Sequence, residues 1–236
     1  MKCLSRFLLV LVALLSVAAP AQAVIVLDFE NIAPYPNGNN VQILNFYNGG
    51  TSSIGTSGPN FGIAFGTNAL LICLNTLGTN CSNTSRGGLG DPSSQLGSLF
   101  FLDNTQTFLN LADGFTTGFS FNYTAINQPG SVSVFDGLNG TGNVLASLNL
   151  PTTPSGPCPG FNAGFCPFVP TGIAFAGTAQ SIAFAGVGNQ IVFDDITFGS
   201  VIPGGPGGKV PEPTSMLLFG VGLVGLGVLR RRKQGA

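Results

Sequence analysis

Short apolar or alternating runs, each cut off within a few positions by Gly, Pro, Asn or Ser, constrain this chain more than any other feature. They fall at 24–29, 41–46, 62–65, 69–74, 99–102, 108–111, 118–123, 132–135, 144–150, 173–176, 181–185 and 191–198. No stretch of ten residues between 24 and 200 carries the 3.6-residue apolar period of an amphipathic helix. With 35 Gly and 16 Pro as punctuation, the pattern predicts short antiparallel strands joined by turns. A body of this length, 24–200, is long enough to bury a core between two sheets, so the expected fold is all-β, an antiparallel β-sandwich of jelly-roll type. The stretch Asp136-Gly137-Leu138-Asn139-Gly140-Thr141-Gly142 has a GxxGxG spacing but stands between two strand runs. It therefore predicts a hairpin turn and not a phosphate loop. The Gly/Ser/Thr-rich stretch 49–59 predicts a surface loop.

The two ends differ from the body. Residues 1–23 read as a secretory signal peptide, with Lys2 and Arg6 in a basic leader, an apolar run over 7–17, and Ala21-Gln22-Ala23 as the cleavage site. Residues 201–209 form a Pro/Gly linker. Beyond it, the uncharged run 214–229 would span about 24 Å as a helix, short of a hydrocarbon core of roughly 30 Å, so it predicts a marginal transmembrane anchor. Arg230, Arg231, Arg232 and Lys233 follow at once and orient that anchor with its tail in the cytoplasm.

The order Val210-Pro211-Glu212-Pro213, short apolar helix, then Arg230-Arg231-Arg232 resembles the PEP-CTERM sorting signal over 210–236. The resemblance implies that Pro211, Glu212 and Pro213 are read by an exosortase, a membrane enzyme of bacteria that make extracellular polysaccharide. It also implies that the inner-membrane anchor is transient and that the protein ends at the cell surface or in the extracellular matrix. The prolines suit that role because they hold the strip extended and lack backbone donors.

Charge and composition then exclude function classes. Only 7% of residues are charged, there is no His, and there is no Trp. Between 24 and 209 stand two cations, Arg86 and Lys209, against eight carboxylates, which leaves six net negative charges. An acidic body of this kind does not bind nucleic acid, whose phosphates need clustered Lys and Arg. Without His, the Ser-His-Asp triad, Cys-His catalysis and HExxH zinc sites are all impossible. Glycoside hydrolysis needs only two carboxylates. A sugar cleft, however, usually carries aromatic platforms, and here the 20 Phe fall mostly in strand runs and read as core. The body is accordingly expected not to be an enzyme.

Four cysteines remain after signal-peptide removal, in two pairs of equal spacing. In an oxidising compartment the equal local spacing favours the disulfides Cys73–Cys81 and Cys158–Cys166 over the other two connectivities and over a zinc site. Each closed loop would stabilise the fold by roughly 2.5 kcal/mol in the chain-entropy account.

Carboxylates gather near both ends of the body. Alternation through Leu27-Asp28-Phe29-Glu30 sends Leu27 and Phe29 to one face and Asp28 and Glu30 to the other. In Val192-Phe193-Asp194-Asp195-Ile196-Thr197-Phe198, alternation places Asp194 on the core face with Val192, Ile196 and Phe198. A core-side carboxylate is costly unless a cation or donors satisfy it. If the first and last strands are neighbours, Asp28, Glu30, Asp194 and Asp195 become candidate ligands of a structural Ca²⁺, with Glu30 and Asp194 sharing it. The competing reading has these acids solvated or hydrogen-bonded at strand ends. The same two segments resemble the end strands of MAM-type, concanavalin-like or galactose-binding-like jelly rolls. The functional expectation is a structural or adhesive matrix component, the alternative is a calcium-dependent carbohydrate-binding module, and a glycoside hydrolase comes third.

Overall fold

The computed structural model describes residues 24–34, 40–74, 96–125, 127–153 and 168–205. The signal peptide, the sorting motif with its helix and Arg cluster, and Cys81, Cys158 and Cys166 lie outside the described residues. Twelve strands run in order: β1 Ile25–Leu27, β2 Val41–Gln42, β3 Ile63–Phe65, β4 Leu70–Cys73, β5 Gly97–Phe100, β6 Gln106–Phe115, β7 Gly118–Ala125, β8 Gly130–Phe135, β9 Val144–Leu150, β10 Val169–Ala174, β11 Ala179–Ala185 and β12 Ile191–Phe198. Among the described residues one 3₁₀ turn, Leu138–Gly140, sits in the β8–β9 hairpin. Every apolar run of the sequence overlaps a strand, because a run of four to eight residues between turn formers is too short for a stable helix.

Among the described residues all pairings are antiparallel and build two sheets. One has seven strands in the order β10-β7-β12-β5-β4-β2, with β1 added beside β12; the other has five, in the order β3-β6-β11-β8-β9. The expected sandwich is thus what the chain forms. Alternation along the strands sends one face of each sheet inward, where large aromatic side chains fill the gap between the layers. Phe184 of β11 meets Phe193 of β12 with ring centroids 4.7 Å apart and lies 6.1 Å from both Phe119 and Phe121 of β7. Phe115 of β6 reaches Phe198 at 4.9 Å in an edge-to-face contact. A second aromatic group, Phe29, Phe46, Tyr47 and Phe65, closes the sandwich beside β3, and the Tyr47 hydroxyl accepts the Phe29 backbone N–H at 3.0 Å.

The first and last strands are neighbours, with Ile25 opposite Phe198 and Leu27 opposite Ile196. Pairing ends there because both chains change course at once. Phe29 has φ 58° and Asp195 has φ 47°, both in the left-handed region, and the β12–β7 register shifts between Asp194 and Thr197. That bulge corrects the expected facing of β12. Phe193, Ile196 and Phe198 belong to the inter-sheet core, whereas Val192 joins Ile72, Leu74, Phe100 and Phe168 in a second apolar cluster. Asp194 therefore shares the outer face of the seven-stranded sheet with Val192 and not the core face with Ile196 and Phe198. One inserted residue reverses the parity of everything after it.

The chain beyond β12, expected as free linker from 201, lies against the sandwich as far as Gly205. The Gly199 N–H reaches the Gly118 carbonyl at 2.9 Å, and the Gly204 N–H donates to Thr197 Oγ1 at 2.9 Å. Gly172 on β10 permits the approach, since a side chain there would strike the Val201 carbonyl. A Cβ on Gly205 would stand 2.9 Å from Val24 Cγ1, so the described chain enters and leaves the sandwich at one place.

Candidate functional site

Two surfaces hold the polar chemistry of the body. The first is the outer face of the seven-stranded sheet, where β1 and β12 bring the predicted acids together. Asp28 is exposed, Glu30 is half-buried, and Asp194 and Asp195 are buried. Asp28 Oδ1 accepts the Glu30 N–H at 3.2 Å. Glu30 Oε1 accepts the backbone N–H groups of Leu96 at 2.7 Å and Gly97 at 3.3 Å, which fixes the entry into β5. Asp194 accepts the Ser98 hydroxyl from β5 at 2.9 Å on Oδ2 and the Asp195 N–H at 2.8 Å on Oδ1. Asp195 Oδ2 accepts the Asn122 side-chain amide from β7 at 2.9 Å.

Burial pushes the Asp194 carboxyl well above the ordinary carboxylate range, and the neighbouring Asp195 charge adds to the rise. The Asp195 amide and the Ser98 hydroxyl pull the other way, and the Glu30 charge raises it again, more weakly. The arrangement ties β1, β5, β7 and β12 together through acceptors and their donors. Among the described residues no group of three or more acidic or thiol side chains is placed to hold a metal ion. Ser98 and Asn122, the donors that make this cluster tolerable, were absent from the sequence reading. Nothing in local sequence marks them, since they reach the acids only through pairing across strands far apart in the chain. Nearby, the Ser120 hydroxyl is buried without a hydrogen-bond partner, one of two such atoms among the described residues, with Ser52 Oγ.

Cys73 is disulfide-bonded; the pairing Cys73–Cys81 and the pair Cys158–Cys166 involve residues outside those described.

The second surface is the outer face of the five-stranded sheet. Register places three cross-strand rows there: Gln106, Ala185, Ser131 and Asn149; Phe108, Ala183, Ser133 and Ser147; and Asn110, Ser181 and Phe135. None of these side chains is charged. Gln106, Ser147 and Asn149 are exposed, Phe108, Asn110, Ser131, Ser133 and Phe135 are half-buried, and β11 supplies a strip of small residues between them. The β8–β9 hairpin folds back over one end. Asn110 and Asn139 make a reciprocal pair, the Asn110 amide donating to Asn139 Oδ1 at 2.8 Å and the Asn139 N–H donating to Asn110 Oδ1 at 2.7 Å. The Gly140 N–H reaches Ser181 Oγ at 3.0 Å, and Ser181 Oγ donates to the Gly137 carbonyl. Asn143 closes the turn through its backbone and side-chain amides on Asp136, at 2.6 and 2.8 Å, which holds that carboxylate below its ordinary range. The stretch with GxxGxG spacing is thus a pinned hairpin, as its flanking strands required. The polar face itself was missed in the sequence, although Ser131-Val132-Ser133-Val134 and Ser147-Leu148-Asn149-Leu150 announce it by alternation.

Comparison with known proteins places one feature firmly. Residues 209–233 match the PEP-CTERM protein-sorting motif, the signal of exported proteins held by a membrane anchor that is later cut away. No curated protein matches the chain. Similar solved structures include CsCBM6-3 from Clostridium stercorarium in complex with cellobiose, with 15% identity, 56% of this chain and 82% of that chain covered, and a TM-score of 0.34. The cleaved K3 adhesin domain of Lys-gingipain from Porphyromonas gingivalis is similar at 13% identity over 55% of this chain and 91% of that chain, with a TM-score of 0.31. A glycoside hydrolase family 43 arabinoxylan arabinofuranohydrolase from Bacillus subtilis, in complex with cellotetraose, is similar at 14% identity over 63% of this chain and 30% of that chain, with a TM-score of 0.35.

Proposed function

We propose that this protein is a structural or adhesive component of a bacterial cell surface or extracellular matrix. In this reading it is delivered there by exosortase processing of a transient inner-membrane anchor. The observation that carries the reading is the sorting motif at 209–233. A body without His, with few charges and with Glu30, Asp194 and Asp195 taken up by backbone and side-chain donors supports a module that binds or builds and does no chemistry. Deleting 211–213 is expected to leave the protein in the inner-membrane fraction with its C-terminal segment attached; unchanged release would overturn the reading.

A second reading, carbohydrate binding, is favoured by the outer face of the five-stranded sheet. Rows of uncharged amides and hydroxyls around Phe108 and Phe135 suit a neutral polyhydroxylated chain, which needs donors and acceptors together with apolar contact and no charge. Calcium, the further proposal attached to this reading, would be held by Glu30 and Asp194 on the opposite sheet and so would act on the fold and not on the sugar. A glycan array probed with and without EDTA separates these cases. Binding to a neutral glycan that survives EDTA and is lost in a Gln106→Ala/Asn149→Ala double variant supports the second reading, and loss in EDTA with a lowered Tm supports calcium. Absence of binding on every glycan leaves the structural role.

A further inference from the structure

Each sheet ends in strands whose outer backbone groups need partners, and this protein treats those edges unequally. On β2 the Gln42 N–H is taken by Ser53 Oγ and the Gln42 carbonyl by the Ser53 N–H, both at 3.0 Å. On β3 the Phe65 N–H goes to the Leu44 carbonyl at 2.9 Å and the Ile63 N–H to the Tyr47 carbonyl at 3.3 Å. Edge strand β10 carries Pro170, which has no N–H to offer. Edge strand β9 has neither a capping loop nor a proline among the described residues, where its backbone hydrogen bonds run only to β8. It spans Val144–Leu150 without proline, and the chain holds no charged residue between Asp136 and Asp194. Charge, proline, cover and bulges are the usual means of blunting a strand edge; β9 has a bulge at Val144 and Leu145, opposite Phe135, and from Ala146 to Leu150 it has none of the four, which leaves that stretch a template for pairing.

We propose that β9 is a self-association edge, which takes β9 of a second copy of this chain in antiparallel register about a two-fold axis at Ser147. The proposal stands independently of any glycan. A second copy suits the edge better than an acidic or basic segment because nothing on β9 selects a charge, and the strand is complementary to itself. About Ser147, Ala146 meets Leu148 of the second copy, and both already pack toward the sandwich core, so the two apolar layers become continuous. On the outer face, Ser147 already bonds Ser133 at 3.0 Å, and the two-fold extends that row as Ser133, Ser147, Ser147, Ser133. An isologous pairing of this kind closes on itself and joins the two five-stranded sheets into one.

The test uses the protein released from producing cells, with mass in solution measured by light scattering at rising concentration. Wild type is expected at twice the chain mass. Ser147→Lys and Ser147→Glu each place like charges opposite one another at the axis and are expected to fall to the single-chain mass with unchanged circular dichroism. Mixing the two is expected to restore the doubled mass. Ser147→Cys, which leaves the strand intact, is expected to form an interchain disulfide on oxidation. Single-chain mass for wild type at its highest soluble concentration, or doubled mass for Ser147→Lys alone, overturns the proposal. A Ser147→Lys/Ser147→Glu mixture that stays at single-chain mass overturns the two-fold register.

Discussion

The two sheets of this sandwich show the same inner face and opposite outer faces. Outside the seven-stranded sheet, Val192, Phe100 and Ile72 form a second apolar cluster, and Asp194, Asp195 and Ser98 are as buried as the core itself. Outside the five-stranded sheet, the three cross-strand rows hold no acid, and Ser, Asn and Gln stand half in water. The difference teaches where carboxylates are affordable in a chain this poor in charge. An acid inside needs donors delivered from several strands, so it locks topology, while a face left open can stay neutral and available.

The contrast is broken or sharpened by substitutions matched across the two faces. Phe100→Ala, in the buried outer cluster, is expected to cost about 3–5 kcal/mol, while Phe108→Ala on the open face costs under about 1 kcal/mol, both read by denaturant unfolding. Equal losses would mean that the open face is packed as a core. Next in size, Ser98→Ala deprives the buried Asp194 of a donor and is expected to cost roughly 1–3 kcal/mol, against about 0.5 kcal/mol or less for Ser133→Ala, whose partner can turn to water. The smallest effect is one of slope. Because burial raises the folded-state pKa of Asp194, its contribution favours the folded state fully below the ordinary carboxylate range and is lost as pH rises through the folded-state pKa. Tm of wild type is therefore expected to fall more steeply from acid to neutral pH than that of Asp194→Asn. If the two curves run parallel, Asp194 is ionised in the folded protein.

How much of this was legible in the sequence depended on how local each feature is. Strand positions were readable because Gly, Pro and Asn punctuate them, and β9 and β12 begin and end where their apolar runs do. Strand β6 runs on through Ala112, Asp113 and Gly114, beyond its apolar run, because pairing with β11 and not composition sets its length. The facing of Asp194 was misread because a bulge leaves no mark in an alternating pattern, and Asp, which tolerates the left-handed region, is the one residue there that hints at it. The donors Ser98 and Asn122 were invisible for a deeper reason, since they reach the acids only across the sheet.

The strap that follows β12 has a mechanical meaning. Pull on the C-terminal segment passes through Ser200 and the Gly204–Thr197 bond straight into β12, which is held by β7 on one side and by β1 and β5 on the other. β12 lies inside the seven-stranded sheet and not at its edge, so such a load meets hydrogen bonds on both flanks of the strand. A module fastened to a surface through this end would take tension first on an interior strand of its larger sheet and not on an edge.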